Sequence, residues 1–195
     1  MTDFLLELGC EEIPAGYIQP ALEQGKAFLA AQLKAKRLDH TDITACATPR
    51  RLVFHIKGLP PAQADINKEI LGPSVSIAFD KDNKPTPALY GFAKKNNIKP
   101  EDVKVKDTPK GKVCYIQITV KGEKTENILS SVVPLLIAAL PWPKSMWWLD
   151  KSLTFARPLR YIMAIFGNKP MKINMADIPC GNKTYVGHLA PKPIA

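Results

Sequence analysis

The sequence predicts an α+β fold, in which a mixed or antiparallel sheet is packed by a long amphipathic helix and an apolar helix. Short apolar or alternating stretches typical of strands recur along the 195 residues without a regular strand–helix–strand rhythm. Two longer stretches, residues 18–37 and 126–140, have helical character. The mixture favours this class over a doubly wound parallel sheet.

Four stretches predict strands. Residues 4–8 form a short apolar run, and Leu52–Leu59 alternates between apolar and polar side chains. Cys114–Val120 shows the clearest alternation, and Tyr161–Phe166 is a further apolar run. We expect all four stretches to be strands.

Helical periodicity is clearest over residues 18–37, where apolar residues recur on one side at Ile18, Leu22, Leu29 and Leu33. Thr86 and Pro87 predict the start of a second helix that runs to about Asn96. Residues 126–140 are mostly apolar and contain Pro134, which predicts a kink or a late helix start.

Weaker patterns predict three smaller elements. Alternating Val75, Ile77 and Phe79 indicate a strand, and residues 80–83 indicate a turn. Ile173 and Met175 indicate a further short strand.

The charge is uneven along the chain. The sequence has 27 Lys and Arg against 18 Asp and Glu, a formal net charge of +9. Residues 144–195 carry eight basic and two acidic side chains, so this last quarter supplies +6 of the excess. A local positive field attracts phosphates, anionic lipids or an acidic partner surface. The alternative is that these basic side chains form an ordinary solvated surface that binds no partner.

Compartment is predicted from the apolar runs, the amino terminus and the cysteines. The longest apolar run, Val132–Leu140, is far shorter than the about 20 residues of a membrane span. The amino terminus lacks the basic region of a signal peptide. The four cysteines form no CxxC pair, which argues against zinc. We therefore expect a cytoplasmic protein with reduced thiols and no membrane partner.

The sequence contains no nucleotide-binding, metalloprotease or nucleophile-elbow motif, so we expect no catalytic, cofactor-binding or metal-binding residue. The three histidines lie far apart, and His55, on the polar side of a strand, is expected to be a surface or hydrogen-bonded residue. Glu11 and Glu12 follow a strand directly. Such a pair can perform acid–base chemistry, but more often it forms salt bridges or caps a helix.

Seven side chains are candidate contacts. Arg50 and Arg51 enter a strand together, so alternation sends one to the core side and leaves the other for a partner. The other five interleave cations with aromatic rings, a combination that suits RNA bases and phosphates and equally suits a protein interface. They are Lys144, Trp147, Trp148, Arg157 and Arg160.

An ordered set of segments resembles the β subunit of the bacterial, heterotetrameric glycyl-tRNA synthetase. The resemblance covers nearly all of the chain and departs from the family at two positions, where Trp147 and Leu189 replace arginines. The matching segments are Leu5–Gly9 with Glu11–Pro14, Thr48–Leu52, Gly72-Pro73 before Ala78–Asp80, Pro85-Thr86 before Gly91–Ala93, Lys144–Met146, Phe155 with Arg157-Pro158, and Gly187-His188.

The resemblance implies a division of labour between two subunits. The α subunit holds the site for ATP, Mg²⁺ and glycine, and the β subunit supplies tRNA recognition for ATP-dependent glycylation. The expected partners are therefore the α subunit, tRNA(Gly) and the rest of the β subunit. The seven candidate side chains become candidate tRNA or subunit contacts.

The family's β subunit is several times longer than this chain. We expect residues 1–195 to be the amino-terminal α+β region of a longer chain, with an inserted subdomain over residues 66–122, and to be inactive alone. Two alternatives remain open: a stand-alone RNA- or protein-binding module, and a small acid–base enzyme that uses Glu11 and Glu12.

Overall fold

The computed structural model describes residues 1–80, 84–109, 111–148, 153–175, 178–186 and 192–194. They form two compact units, one of residues 1–64 with 123–195 and one of residues 65–122. The strands are β1 (Thr2–Cys10), β2 (Asp42–Thr48), β3 (Arg51–Leu59), β4 (Ile66–Ser74), β5 (Lys104–Thr108), β6 (Gly111–Val120), β7 (Met146–Trp148), β8 (Leu153–Phe155), β9 (Leu159–Phe166), β10 (Lys169–Pro170), β11 (Cys180–Gly181), β12 (Thr184–Val186) and β13 (Lys192–Ile194). The helices are α1 (Ala15–Ala35), α2 (Val75–Ala78), α3 (Pro87–Lys95) and α4 (Thr125–Ala139), with a 3-10 turn over Pro100–Asp102.

The main sheet lies in the first unit, with the strand order β10-β9-β1-β3-β2 and β11 beside β9. The neighbours are antiparallel except for the parallel pair of β11 and β9, so the sheet is mixed. Two ribbons, β7 with β8 and β12 with β13, complete the described strands of this unit. The prediction of a mixed α and β protein with antiparallel sheets is confirmed.

The core of the first unit lies on one face of β1. Alternation places Phe4, Leu6 and Leu8 on this face, where all three are fully buried. Leu29 of α1 and apolar residues of α4 belong to the same buried cluster. A side chain at Gly25 of α1 would come within 2.5 Å of the Phe54 ring, so the missing Cβ allows the helix to approach β3 closely.

The second unit is built on a three-stranded antiparallel sheet in the order β4-β6-β5. Its small core contains Ala78, Leu89 and Cys114. Helices α2 and α3 contribute the first two of these residues, and β6 contributes the third. This unit therefore has a buried cluster of its own.

The four expected strands are confirmed as β1, β3, β6 and β9, with bounds extended by one to three residues at one or both ends. The three expected helices are confirmed as α1, α3 and α4. Helix α4 begins at Thr125 and continues through Pro134, so a late start is excluded.

Two strand predictions are wrong. Residues 75–78 form the short helix α2. Val75 and Phe79 are four residues apart and pack against the same small core, as positions on one side of a helical turn can, while Ile77 is exposed. Thr86 donates a hydrogen bond to the carbonyl of Ile77 at 2.6 Å. Residues 173 and 174 belong to no described strand, and Met175 forms only an isolated β-bridge, so the expected strand is absent here although Ile173 is buried. The predicted turn falls partly on residues 81–83, which lie outside the described residues.

Replacing Leu29 with alanine removes a fully buried side chain from the core of the first unit. We expect the free energy of unfolding to fall by about 2–5 kcal/mol, because the cavity adds to the lost burial. Urea denaturation measures it. Leu135→Ala, at a residue that is 54% exposed on α4, is the control and should stay within about 0.5 kcal/mol of the parent. Equal losses for the two variants would contradict the placement of Leu29 in the core.

Candidate functional site

A group of polar side chains lies on the face of the main sheet opposite the core. The strand register pairs Gly9 of β1 with Arg51 of β3 and with Tyr161 of β9, so these residues share a face with Glu7. Glu7 is only 8% exposed although it carries a carboxylate. A buried carboxylate destabilises the folded state unless hydrogen-bond donors surround it, so Glu7 requires such donors.

Three donors surround Glu7, and we call them, with Glu7, the Glu7 cluster. The hydroxyls of Tyr161 and Thr184 both donate hydrogen bonds to Oε1 of Glu7, the second at 2.5 Å. The Arg51 guanidinium lies 3.8 Å from the same oxygen and donates to the backbone carbonyl of Tyr185. The cluster therefore connects β1, β3, β9 and β12.

Tyr161 is the neutral donor of this cluster. Burial raises the pKa of its hydroxyl, and the adjacent Glu7 carboxylate raises it further. The hydroxyl therefore stays protonated at neutral pH and can donate to Glu7. A Cβ at Gly9 would overlap the Tyr161 ring, so only glycine leaves room for the tyrosine over β1.

The loop that follows β1 is held by backbone hydrogen bonds from two sides. The Glu11 N–H donates to the carbonyl of Pro158 at 2.9 Å, and the Ile13 N–H donates to the carbonyl of Pro49 at 2.7 Å. Pro49 and Arg50 form the two-residue turn between β2 and β3. The loop is thus fixed between this turn and the segment before β9.

Arginines also bind this loop. Nε of Arg160 donates to Oε1 of Glu11 at 2.6 Å, and Nε of Arg157 donates to the backbone carbonyl of Glu12 at 3.2 Å. Arg50 forms a longer ion pair with Glu12, at 3.7 Å. The expectation that the adjacent carboxylates form salt bridges is confirmed.

The expectation that Arg50 and Arg51 enter a strand together is wrong. Arg51 is the first residue of β3, whereas Arg50 lies in the turn, because Thr48 already pairs with Arg51 across the hairpin. The two side chains still point to different partners, Glu12 for Arg50 and Glu7 for Arg51.

Of the other candidate contacts, Arg160 lies at the start of β9, and the remaining four lie in or beside the β7–β8 ribbon. Trp147 is 66% exposed and pairs with Thr154 across the ribbon, while the side chain of Trp148 lies outside the described residues. Lys144 is exposed and precedes the ribbon pair of Met146 with Phe155, and Arg157 follows that pair. Lys144 and Arg157 therefore flank the same end of the ribbon.

Sequence reasoning missed Glu7, Tyr161 and Thr184. The available signal was a glutamate inside an otherwise apolar strand, followed two residues later by glycine. His55 behaves as expected, since its ring lies 3.1 Å from Oδ2 of Asp3. The Gly58 N–H and His55 lower the pKa of the Asp3 carboxyl. Within the described residues, no three His, Cys, Asp or Glu side chains gather as they would for a metal ion.

Comparison with known proteins gives a consistent result. A family model described as "Glycyl-tRNA synthetase beta subunit" matches residues 4–194. The glycine–tRNA ligase β subunit of Anaeromyxobacter dehalogenans is 40% identical over 197 residues, and that of Syntrophotalea carbinolica is 36% identical over 194 residues. Both alignments cover all of this chain and 28% of the relative. The β subunit of Desulforamulus reducens is 39% identical over 186 residues, which cover 95% of this chain and 27% of the relative.

These matches place the chain in a family of aminoacyl-tRNA synthetase subunits. The chain belongs to the glycyl-tRNA synthetase β-subunit family, and the resemblance found in the sequence is confirmed. The chain spans about 28% of the length of the curated relatives it matches. No helix within the described residues is long and apolar enough to span a membrane.

Replacing Gly9 with alanine forces a Cβ into the Tyr161 ring. We expect a loss of about 1–3 kcal/mol in the free energy of unfolding, since neither the central strand nor the bonded tyrosine can easily shift. Gly16→Ala is the control: an added Cβ meets nothing within 4 Å, and the change should be neutral or stabilising by up to about 1 kcal/mol.

The double variant Gly9→Ala with Tyr161→Ala isolates the cause of the loss. Once the ring is absent, Gly9→Ala should cost less than about 0.5 kcal/mol relative to Tyr161→Ala alone. Thermal and urea unfolding of the four chains complete the cycle. A Gly9→Ala cost that is the same in both backgrounds would show that the ring is not the reason for the glycine.

Proposed function

We propose that this chain is a tRNA-facing and α-subunit-facing region of a glycine–tRNA ligase β subunit. In this proposal it supports ATP-dependent glycylation of tRNA(Gly) in a cytoplasmic heterotetramer and does not catalyse the reaction alone. ATP and Mg²⁺ are expected in the α subunit. The observation that carries the proposal is the family match over residues 4–194.

The proposed tRNA surface, which we call the basic ribbon end, consists of Lys144, Trp147 and Arg157 at the β7–β8 ribbon and of Arg160 at the start of β9. Lys144, Trp147 and Arg157 are exposed, and the Arg160 side chain is 62% exposed although it pairs with Glu11. A guanidinium has five N–H donors, so one carboxylate partner leaves donors for phosphate oxygens. Fixed cations of this kind position a nucleic acid without reading its sequence.

Arg50 and Arg51 have a different role in this proposal. Arg51 is half-buried between Glu7 and the carbonyl of Tyr185, so its donors hold the fold. Arg50 lies in the β2–β3 turn beside Glu12. We therefore assign these two arginines to bracing the loop and the sheet rather than to tRNA.

The chain alone should show no ATP–pyrophosphate exchange with glycine. The proposed division of labour assigns formation of glycyl-adenylate to the α subunit, and the sequence of this chain contains no phosphate-binding loop. Exchange of labelled pyrophosphate into ATP is the measurement, with the assembled α and β subunits as the positive control. Glycine-dependent exchange by the pure chain would contradict the proposed division of labour.

Removing the charges of Arg157 and Arg160 should weaken tRNA(Gly) binding by the complete enzyme. Each lost phosphate contact should reduce the slope of log affinity against log salt by somewhat less than about 1. The melting temperature should stay nearly unchanged, since the exposed ion pair of Arg160 is worth only about 0–1 kcal/mol. Lys26→Gln, at an exposed lysine of α1, is the control.

Trp147→Ala in the same enzyme should weaken binding by about 1–3 kcal/mol without changing the salt slope, because stacking involves no counterion release. If Arg157→Gln and Arg160→Gln instead unfold the chain and leave the salt slope untouched, these arginines are structural. The tRNA-facing assignment would then be wrong.

A further inference from the structure

Residues 11–14 join β1 to α1, and we call them the β1–α1 loop. The carbonyls of Pro49 and Pro158 accept hydrogen bonds from the N–H groups of Ile13 and Glu11, so the loop is held from two sides. Both acceptors belong to prolines, whose rings restrict the backbone. The β1–α1 loop is therefore a fixed support for any side chain that binds it.

Two arginines of the basic ribbon end bind this loop through the same nitrogen. Nε of Arg160 donates to Oε1 of Glu11 at 2.6 Å, and Nη2 of Arg160 pairs with the same oxygen. Nε of Arg157 donates to the backbone carbonyl of Glu12 at 3.2 Å. Two consecutive residues of the loop therefore hold the two guanidinium groups at their Nε edges.

The other donors of both guanidinium groups remain available to a ligand. A guanidinium carries one N–H at Nε and two at each Nη. In the part of the chain that the structure describes, Arg157 binds the loop through Nε alone, and Nη1 of Arg160 takes no part in its pairing with Glu11. Arg157 is exposed, and the Arg160 side chain is 62% exposed. Nη donors fixed in this way suit paired hydrogen bonds to phosphate oxygens.

The charges around the loop favour an anionic ligand only slightly. Nη2 of Arg50 lies 3.7 Å from Oε1 of Glu12, so three arginines surround two carboxylates. A carboxylate repels phosphate. The charge of Glu11 therefore opposes tRNA binding, and Glu11 can favour binding only through its effect on Arg160.

We propose that the β1–α1 loop orients Arg157 and Arg160 toward phosphates of tRNA(Gly), and that Glu11 is the positioning residue of Arg160. The backbone carbonyl of Glu12 does the same for Arg157. The inference rests on the proposed function for the identity of the ligand. A side chain that is already held loses less conformational entropy on binding, so the loop raises the affinity without touching tRNA.

This role reverses the effect that charge alone predicts for Glu11. If only charge mattered, removing a carboxylate near bound phosphates would strengthen binding. If Glu11 positions Arg160, Glu11→Ala should instead weaken tRNA(Gly) binding by the complete enzyme about three- to tenfold, the cost of immobilising one long side chain.

Glu11→Gln separates the acceptor from the charge. Alanine and glutamine both remove the charge, but glutamine keeps an oxygen that can accept from Nε of Arg160. Glu11→Gln should therefore restore most of the affinity that Glu11→Ala loses. The matched control is Glu23→Ala, which removes the same charge at an exposed residue of α1 and should leave the affinity unchanged.

The steady-state kinetics of the complete enzyme distinguish positioning from a loss of folded protein. Glu11→Ala should raise the KM for tRNA(Gly) and leave kcat unchanged, because the lost interaction contributes to binding alone. Glycine-dependent ATP–pyrophosphate exchange, measured without tRNA, should stay at the parent rate. The melting temperature of each variant is measured alongside.

A double-variant cycle tests whether Glu11 acts through Arg160. In the Arg160→Gln background no guanidinium remains to be positioned, so Glu11→Ala should cause no further loss of affinity. An equal loss in both backgrounds would show that Glu11 acts through another group and would overturn the inference.

Two further outcomes separate this inference from the proposed function. If Arg157→Gln and Arg160→Gln leave tRNA binding unchanged, the basic ribbon end is not the tRNA surface, and the inference fails with it. If the arginine variants weaken binding while Glu11→Ala and Glu11→Gln strengthen it equally, the tRNA surface stands and the positioning role of Glu11 is wrong.

Discussion

The buried carboxylate of Glu7 is the constraint on which the architecture of the first unit depends. Strand β1 lies at the centre of the main sheet, between β3 and β9, and Glu7 faces away from the apolar core. A charge so poorly exposed requires donors, and they come from Arg51, Tyr161 and Thr184 on three other strands. Removing one donor would leave the carboxylate under-satisfied, so the register of those strands is linked to one side chain. The same cluster requires glycine at position 9, because a Cβ there would overlap the ring of Tyr161.

The need to pair carboxylates also explains where most of the arginines lie. Four of the five arginines in the sequence bind residues in or directly after the carboxyl-terminal half of β1. Their partners are Glu7, Glu11 and Glu12. Arginine suits this work because its planar fork makes several directed hydrogen bonds at once. The positive excess of the last quarter of the chain is therefore partly used inside the fold. The net charge therefore overstates the positive charge that is available to bind tRNA. In the proposed surface, the available groups include Lys144 and the N–H donors of Arg160 that Glu11 does not use.

Elements with strong periodicity were predictable, whereas elements that depend on distant partners were not. The stripe of α1 and the alternation of β3 and β6 identified those elements correctly, because a single buried face imposes the pattern on local sequence. Strand β2 was missed because alanine, cysteine and threonine carry little apolar contrast, and β4 because most of its side chains are half-exposed or exposed. Salt bridges of Glu11 and Glu12 could be expected from their position directly after a strand. The Glu7 cluster could not, since its hydrogen bond to Tyr161 spans 154 positions that only the sheet register brings together.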